Sequence, residues 1–464
     1  MKMLSNRNDR RKTQIGTRFR LFPQPPFIDA FSEPETVEVS TPAGSIGPGP
    51  SDQRMYVVDP IGKPMAFGDA RKVLGDPTLF MPPWQGDRHP PVEPTPDGHF
   101  DHVKVGTRAF EAAHLYGSVR RTLDIWEGYF GHELAWHFGE HYDQLELVVE
   151  DTLKENAYMG YGYLEVGYHE QDNGEIHPFS LNFDIIAHEV GHLIVYSMVG
   201  VASAQGETGE YYGFHESAAD LTALIASLHF DSVLDDLLSK SRGNLYTYNL
   251  TNRIGELSAN DQIRLAANPL TLADFMYGWE DEHKLAQPLT GAMFDILIDI
   301  FHEELVERDL ISAVTEDMFD QAEDLSTYHE LVQPIFDKAY EIHPEAIKVA
   351  LEEARDTIGK YLAEAWRLLS ANHLNYVDVA DALMSVDEQL TNGRYGRILY
   401  SNLHRRGIGS VAVGPELPNA KKDGHSMSDR SFVPSDERCA PSYRRRAPRR
   451  INPNRFATRR GMSI

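Results

Sequence analysis

The stretch that decides the fold is residues 183–192, Phe-Asp-Ile-Ile-Ala-His-Glu-Val-Gly-His. Apolar residues at helical spacing surround a polar triplet, which predicts a helix. On that helix His188 and His192 project from one face, one turn apart. Two imidazoles so placed can reach one zinc ion at about 2.0–2.1 Å. Glu189 follows about 100° round the helix, where it can take a proton from a water that the metal activates.

The apolar flanks of this helix favour a metal site over the alternative, a pair of hydrogen-bonded core histidines. Burying two histidines and a glutamate without a ligand would cost several kcal/mol. The one cysteine, Cys439, excludes a Cys-based zinc site, so the ligands must be imidazoles and carboxylates. The apolar positions are Ile185, Ile186, Val190, Leu193 and Ile194.

A second predicted helix supplies a third ligand. Glu216 and Asp220 lie on one face of residues 215–228, in the run Glu-Ser-Ala-Ala-Asp. Glu216 would complete a tetrahedral set that leaves one position for water. Asp220 could accept the distal N–H of a ligand histidine and fix its orientation. The apolar neighbours of the pair weigh against the other interpretation, an exposed acidic face.

These two runs together resemble the thermolysin-like metallopeptidases of the glutamate-zinc class, over about residues 105–412. The resemblance implies an α+β fold with two lobes, in which a mixed strand and helix lobe is followed by a mainly helical one, with the zinc cleft between them. It also implies a zinc-dependent endopeptidase that acts on a protein or peptide substrate. The alternative is a catalytically degenerate relative that keeps the zinc and binds a partner protein.

The resemblance assigns a role to each matching position. The metal ligands are His188, His192 and Glu216, the general base is Glu189, and Asp220 accepts a hydrogen bond from a ligand histidine. Asn156 and Ala157 match an edge strand that hydrogen-bonds the substrate backbone. His283, followed by Pro-Leu-Thr-Gly at 288–291, matches a histidine that stabilises the oxyanion. The alternative for His283 is a surface histidine.

The sequence departs from the family pattern at two places. His215 stands where the family has an asparagine, so the partner of the second ligand histidine is not assigned. Asp184 matches a calcium-ligand position, but Ser227 stands where a second acidic residue is expected. Zinc is therefore the expected cofactor, and calcium is left open.

Four segments are expected along the chain. Residues 21–100 hold sixteen of the 27 prolines, which predicts loops and short strands such as Met55–Val58. Further strands are predicted at 145–149 and 161–168, and helices at 107–129, 183–198, 215–228, 289–304, 344–370 and 377–390. The segments are a basic then proline-rich extension (1–104), a catalytic N-terminal lobe with the metal helix (105–200), a helical C-terminal lobe (201–415) and a basic disordered tail (416–464).

The charge distribution bears on partners. Residues 1–20 hold seven basic residues and one acidic residue, and residues 421–464 hold twelve basic and four acidic residues. Both ends are therefore positive, and the stretch between them has a net charge of −40, against −26 for the whole chain. A body this acidic repels phosphates, and no specific nucleic-acid partner is expected. The sequence has no apolar run long enough for a membrane span, and no signal peptide is seen, so a cytoplasmic location is expected. Nothing in the sequence indicates the oligomeric state.

A rival metal motif is the inverted run His137-Phe-Gly-Glu140-His141. It also places two histidines four residues apart. Gly139 interrupts it and its flanks lack apolar periodicity, so a partly exposed loop is the preferred interpretation.

Overall fold

The computed structural model is a mixed α and β fold, which confirms the predicted fold class at that level. The basic tail expected at 416–464 and the first fifteen residues of the N-terminal extension lie outside the described residues. The structure describes residues 16–409 apart from 69, 74–75, 155, 172, 247–252, 259–260 and 313–324.

The helices lie mostly after residue 180. They are α1 (Arg108–Phe130), α2 (Phe183–Met198), α3 (Gly209–Ser227), α4 (Asp231–Ser241), α5 (Glu282–Glu307), α6 (Leu325–Ile342), α7 (Pro344–Leu368), α8 (Tyr376–Thr391) and α9 (Gly396–Arg405). Two begin earlier than predicted, because the side chain of Thr208 caps α3 and that of Asp281 caps α5. The prediction relied on apolar periodicity, which does not detect a first helical turn made of polar residues.

In the described part of the chain, the strands form one five-stranded sheet and three two-stranded ones. They are β1 (Gly16–Leu21), β2 (Glu35–Pro42), β3 (Met55–Val58), β4 (Ala70–Val73), β5 (Asp76–Leu79), β6 (Leu145–Lys154), β7 (Ala157–Met159), β8 (Tyr163–Glu170), β9 (Ile176–Pro178), β10 (Arg253–Ser258) and β11 (Asp261–Leu265). In the large sheet β3, β6 and β8 run parallel. Both β7 and β9 pair antiparallel with β8, and β7 ends the order β3-β6-β8-β7. Ala157, which matches the family's edge strand in the sequence, lies in this short terminal strand.

The N-terminal segment is part of the main hydrophobic core. Phe19 and Phe22 are buried in the same cluster as residues from α1, α2 and the helices that follow. The backbone N–H of Phe22 donates to Nε2 of His114 on α1 at 2.9 Å. At the other end of the chain, Trp366 of α7 stacks on Trp126 of α1 with ring centroids 4.8 Å apart. One core thus joins segments from both halves of the described sequence.

The described part of the chain contains no helix with both the length and the apolar content needed to cross a membrane.

Two buried histidines make stability depend on pH. Burial lowers the pKa of His114 to about 4 and that of His302 to about 4, so both are neutral in the fold at pH 5. The unfolded chain binds those protons below about pH 6.5, so stability is full above that pH and falls as the pH drops towards 4. Urea unfolding at pH 7 and pH 5 should differ by about 2 kcal/mol per histidine. His302→Phe should remove one such contribution, whereas His132→Phe, at an exposed site, should leave the difference unchanged.

Candidate metal centre

The two helices that carry the candidate ligands approach closely at a glycine. A Cβ on Gly191 of α2 would lie 2.6 Å from Cα of Ala219 and 2.9 Å from Cβ of Thr222, both on α3. Only a residue without a side chain permits that separation. The close approach brings Glu216 of α3 beside the histidines of α2.

The three candidate ligands converge through single atoms. Nε2 of His188 lies 2.9 Å from Nε2 of His192, and Oε2 of Glu216 lies 3.4 Å and 3.7 Å from these two nitrogens. Ligands of a tetrahedral zinc, bonded at about 2.0–2.2 Å, stand roughly 3.3 Å apart. All three residues are at most 1% exposed. The donor set therefore fits a zinc ion in both chemistry and spacing.

Glu189 lies against this set. One carboxylate oxygen of Glu189 and one ring nitrogen from each histidine of α2 all fall within 4.8 Å of one another. The three residues His188, Glu189 and His192 form a group that could hold a metal ion. Glu189 follows His188 on α2 and is completely buried. Because its carboxylate lies close to the two ring nitrogens, it could contact a molecule bound between them.

Each candidate ligand histidine has a partner on its other ring nitrogen. Nδ1 of His188 lies 3.0 Å from Oδ1 of Asp220. Nδ1 of His192 lies 2.7 Å from Nδ1 of His215, a pairing that sequence reasoning left unassigned. The available signal was its position directly before Glu216, about 100° round α3 from that carboxylate.

His283 also belongs to the cluster. Its Nε2 lies 3.3 Å from Oε2 of Glu216, and its Nδ1 lies 2.9 Å from Oδ1 of Asp281. Burial by itself would raise the pKa of Asp281, but the hydrogen bonds and charge of His283 lower it to about 2. His283 is 8% exposed and is not the surface histidine of the alternative. Sequence reasoning missed Asp281, although an acidic residue at a helix N-terminus was a usable signal.

The two candidate substrate-binding residues lie at the start of β7. Oδ1 of Asn156 accepts the backbone N–H of Ala157 at 3.0 Å, and its Nδ2 donates to the hydroxyl of Tyr158 at 3.1 Å. The strand packs beside α2. Asn156 and Ala157 are both buried in this conformation.

The rival motif is not brought together as a metal site. His137 and His141 lie in the loop between α1 and β6, where Nδ1 of His141 is 2.8 Å from the hydroxyl of Tyr161. Among the described residues, the group found able to hold a metal is the one on α2. The interpretation of this segment as a loop is confirmed.

Asp184, at the candidate calcium position, accepts hydrogen bonds from neighbouring side chains. Oδ1 of Asp184 accepts the hydroxyl of Ser227 at 2.5 Å and Nε2 of Gln24 at 3.0 Å. Calcium takes six to eight oxygen ligands, several of them carboxylates. In the described chain no cluster of three acidic or histidine ligands forms around Asp184. These residues do not fit a calcium ion, and they join the N-terminal segment to α2 and α3 directly.

Comparison with known proteins gives limited guidance. No protein-family model matches the chain, and a search of curated proteins finds no match. Among solved structures the chain is similar to the precursor of protealysin, a metalloproteinase from Serratia proteamaculans. The identity is 13%, the TM-score is 0.39, and the match covers 80% of this chain and 90% of that chain. A TM-score this low carries no argument, so the function rests on the site itself.

Proposed function

We propose that the chain is a zinc-dependent endopeptidase of the thermolysin-like kind. The observation that supports it is the convergence of His188, His192 and Glu216 on one point, with the carboxylate of Glu189 beside them. A purely structural zinc site is closed by four protein ligands and needs no base. Three protein ligands and an adjacent glutamate are the set that peptide hydrolysis requires.

The chemistry divides between the ion and the chain. When bound, the metal ion polarises the scissile carbonyl and makes water more acidic. Glu189 takes the proton from the attacking water and delivers it to the leaving nitrogen as the peptide bond breaks. Asp220 and His215 hold the two ligand histidines by their Nδ1 atoms, so the rings keep the Nε2 atoms directed at the metal.

His283 is proposed to stabilise the oxyanion. Its Nδ1 lies 2.9 Å from Oδ1 of Asp281, whose pKa is lowered to about 2, so an ionised carboxylate lies against the ring at neutral pH. A protonated His283 can then donate from Nε2, which already lies at the edge of the candidate metal set. Such a donor acts mainly on the charge that develops in the transition state.

Substrate backbone is proposed to add to the edge strand β7. Peptides commonly bind by pairing with an exposed strand edge, which supplies hydrogen bonds without selecting a side chain. Asn156 and Ala157 lie at the start of this strand, beside α2.

A specific observation favours a second candidate, the degenerate zinc-binding relative that acts through a partner. Glu189 and all three candidate ligands are at most 1% exposed, and β7 is buried as well. An endopeptidase with this structure must open before a polypeptide reaches the base. A protein that only keeps its zinc has no such requirement.

One measurement separates the two candidates. Purified protein is analysed for zinc content and assayed on a casein-type substrate, with and without a chelator. One bound zinc together with chelator-sensitive cleavage supports the endopeptidase. One bound zinc with no cleavage supports the degenerate relative, and absence of zinc from freshly prepared protein contradicts both.

His283→Ala should lower kcat by about 10²- to 10³-fold, with little effect on zinc binding or KM. The donor is lost where charge develops, while the three ligands stay in place. Steady-state kinetics and zinc titration of the variant test this. His132→Ala, at an exposed position, is the matched control. An unchanged kcat would remove His283 from the catalytic set.

A further inference from the structure

We propose that the side chains of Lys63 and Glu165 are joined by a covalent amide bond that the folded chain forms by itself, with Glu146 transferring the proton that the reaction requires. The bond links the segment that follows β3 to strand β8. It is independent of the metal centre and of the proposed peptidase activity. Its basis is the contact between Nζ of Lys63 and Oε1 of Glu165, whose side chains are both fully buried.

The two groups meet on the face of the large sheet that is turned away from the main core. Along β6 the buried side chains alternate, with Leu147 in the main core and Val148 in a second, smaller cluster. Nζ of Lys63 lies 4.3 Å from the ring centroid of Phe67 in that cluster and 5.3 Å from that of Phe80. Two charges taken from water into such surroundings lose hydration that their attraction does not always repay. An amide carries no net charge, so burial favours it over the ion pair.

The hydrogen bonds around the pair match those that an amide makes. Nζ of Lys63 donates to the backbone carbonyl of Met65 at 2.6 Å, and Oε2 of Glu165 accepts the backbone N–H of Phe67 at 2.7 Å. A secondary amide keeps one N–H and one carbonyl oxygen, so both bonds survive the reaction. The oxygen that leaves is Oε1, the one in contact with Nζ. Because folding holds the amine against the carboxyl group, the condensation is intramolecular.

The reaction balances without any further reagent. Moving one proton from the ammonium group of Lys63 to the carboxylate of Glu165 gives an amine and a carboxylic acid, the uncharged forms that burial favours. Nζ then attacks Cδ of Glu165, the N–C bond forms, and the Cδ–Oε1 bond breaks. Oε1 leaves as water, with its own hydrogen and one from Nζ. The products are one amide and one water molecule.

Glu146 is placed to move that last hydrogen. Strands β6 and β8 pair in parallel register, so Glu146 lies diagonally across from Glu165 on the same face of the sheet. Burial raises the pKa of Glu146, and the hydrogen bonds that Tyr56 and Trp84 donate to it only reduce that rise. A carboxyl group in this state can give a proton to the leaving oxygen and take one from the attacking nitrogen.

Mass spectrometry of the denatured full chain tests the bond directly. The wild-type protein should be lighter than its sequence mass by one water, and a digest should contain one pair of peptides joined through residues 63 and 165. Lys63→Met, which removes the amine and keeps an unbranched side chain, should have its full sequence mass. Lys240→Met is the matched control, because Lys240 is an exposed lysine paired with Asp236 and its loss should leave the cross-link intact.

Glu146→Gln should form the bond about 10²- to 10⁴-fold more slowly, since an amide cannot relay the proton. The cross-linked fraction at successive times after synthesis measures this rate. A wild-type chain at its full sequence mass would overturn the proposal, and so would a loss of water that persists in Lys63→Met. Cross-linking of Glu146→Gln at the wild-type rate would overturn the part assigned to Glu146. None of these readouts depends on zinc or on peptide cleavage, so the cross-link and the proposed function fail separately.

Discussion

Glu189→Gln is expected to keep zinc and fold but to lose about 10²- to 10⁴-fold in kcat. Glutamine has nearly the shape of glutamate and still accepts hydrogen bonds. Its amide cannot take a proton from water, so the step assigned to Glu189 fails. The buried carboxylate beside His188 and His192 has no neighbouring acid on α2 that could replace it at this position.

Glu388→Gln is the matched control, since Glu388 is an exposed glutamate on α8. It should cleave at the wild-type rate. Zinc content and circular dichroism establish that each protein is loaded and folded. If Glu189→Gln cleaves peptide nearly as fast as the wild-type chain, Glu189 is not the base, and the endopeptidase mechanism has to be abandoned.

Glu216→Ala is expected to leave the protein without zinc after dialysis, and therefore without activity. Removing the carboxylate takes away one of three ligands and leaves two imidazoles, too few to close a tetrahedral site around one water. The oxygen in question is the one that lies 3.4 Å from Nε2 of His188 and 3.7 Å from Nε2 of His192.

Metal analysis after dialysis gives the result directly. Glu388→Ala, which removes an exposed carboxylate, should retain one zinc per chain. Glu216→Gln keeps the volume of the side chain and separates loss of a ligand from loss of packing. Full zinc occupancy in a folded Glu216→Ala protein would show that another residue supplies the third ligand.

Helix α2, which carries three of the candidate site residues, was the most predictable part of the molecule. His188, Glu189 and His192 sit on one helix, so their spacing in the sequence is their spacing in space. The bounds of α2 were predicted at 183 and 198, where the structure has them.

The positions of Glu216 and Asp220 relative to the two histidines depend on how helices α2 and α3 cross. That crossing is permitted by the absence of a side chain at Gly191, which no periodic pattern encodes. The sequence put both on one helical face and the resemblance matched their roles, and in the structure both lie close to His188.

The partners of His192 and His283 were missed, because the sequence signals for them do not show which side chains meet in the folded chain. His215 faces His192 across the interface of α2 and α3, with their Nδ1 atoms 2.7 Å apart. The ring of His215 also packs against Tyr196 and Tyr211, and such packing is not encoded in a local sequence pattern. Asp281 precedes a helix whose start was predicted seven residues too late, so its capping role and its contact with His283 were both hidden.

The hydrogen bond between Gln24 and Asp184 has a consequence for anyone producing this protein. A shortened version that starts at residue 105, where the family resemblance begins, would lose Gln24 together with the buried rings of Phe19 and Phe22. It would expose the face of α1 on which β1 rests and remove one bond from the first turn of the metal helix. A shorter version of the chain should therefore begin no later than Gly16, because residues 16–24 pack into the main core and bond to α2.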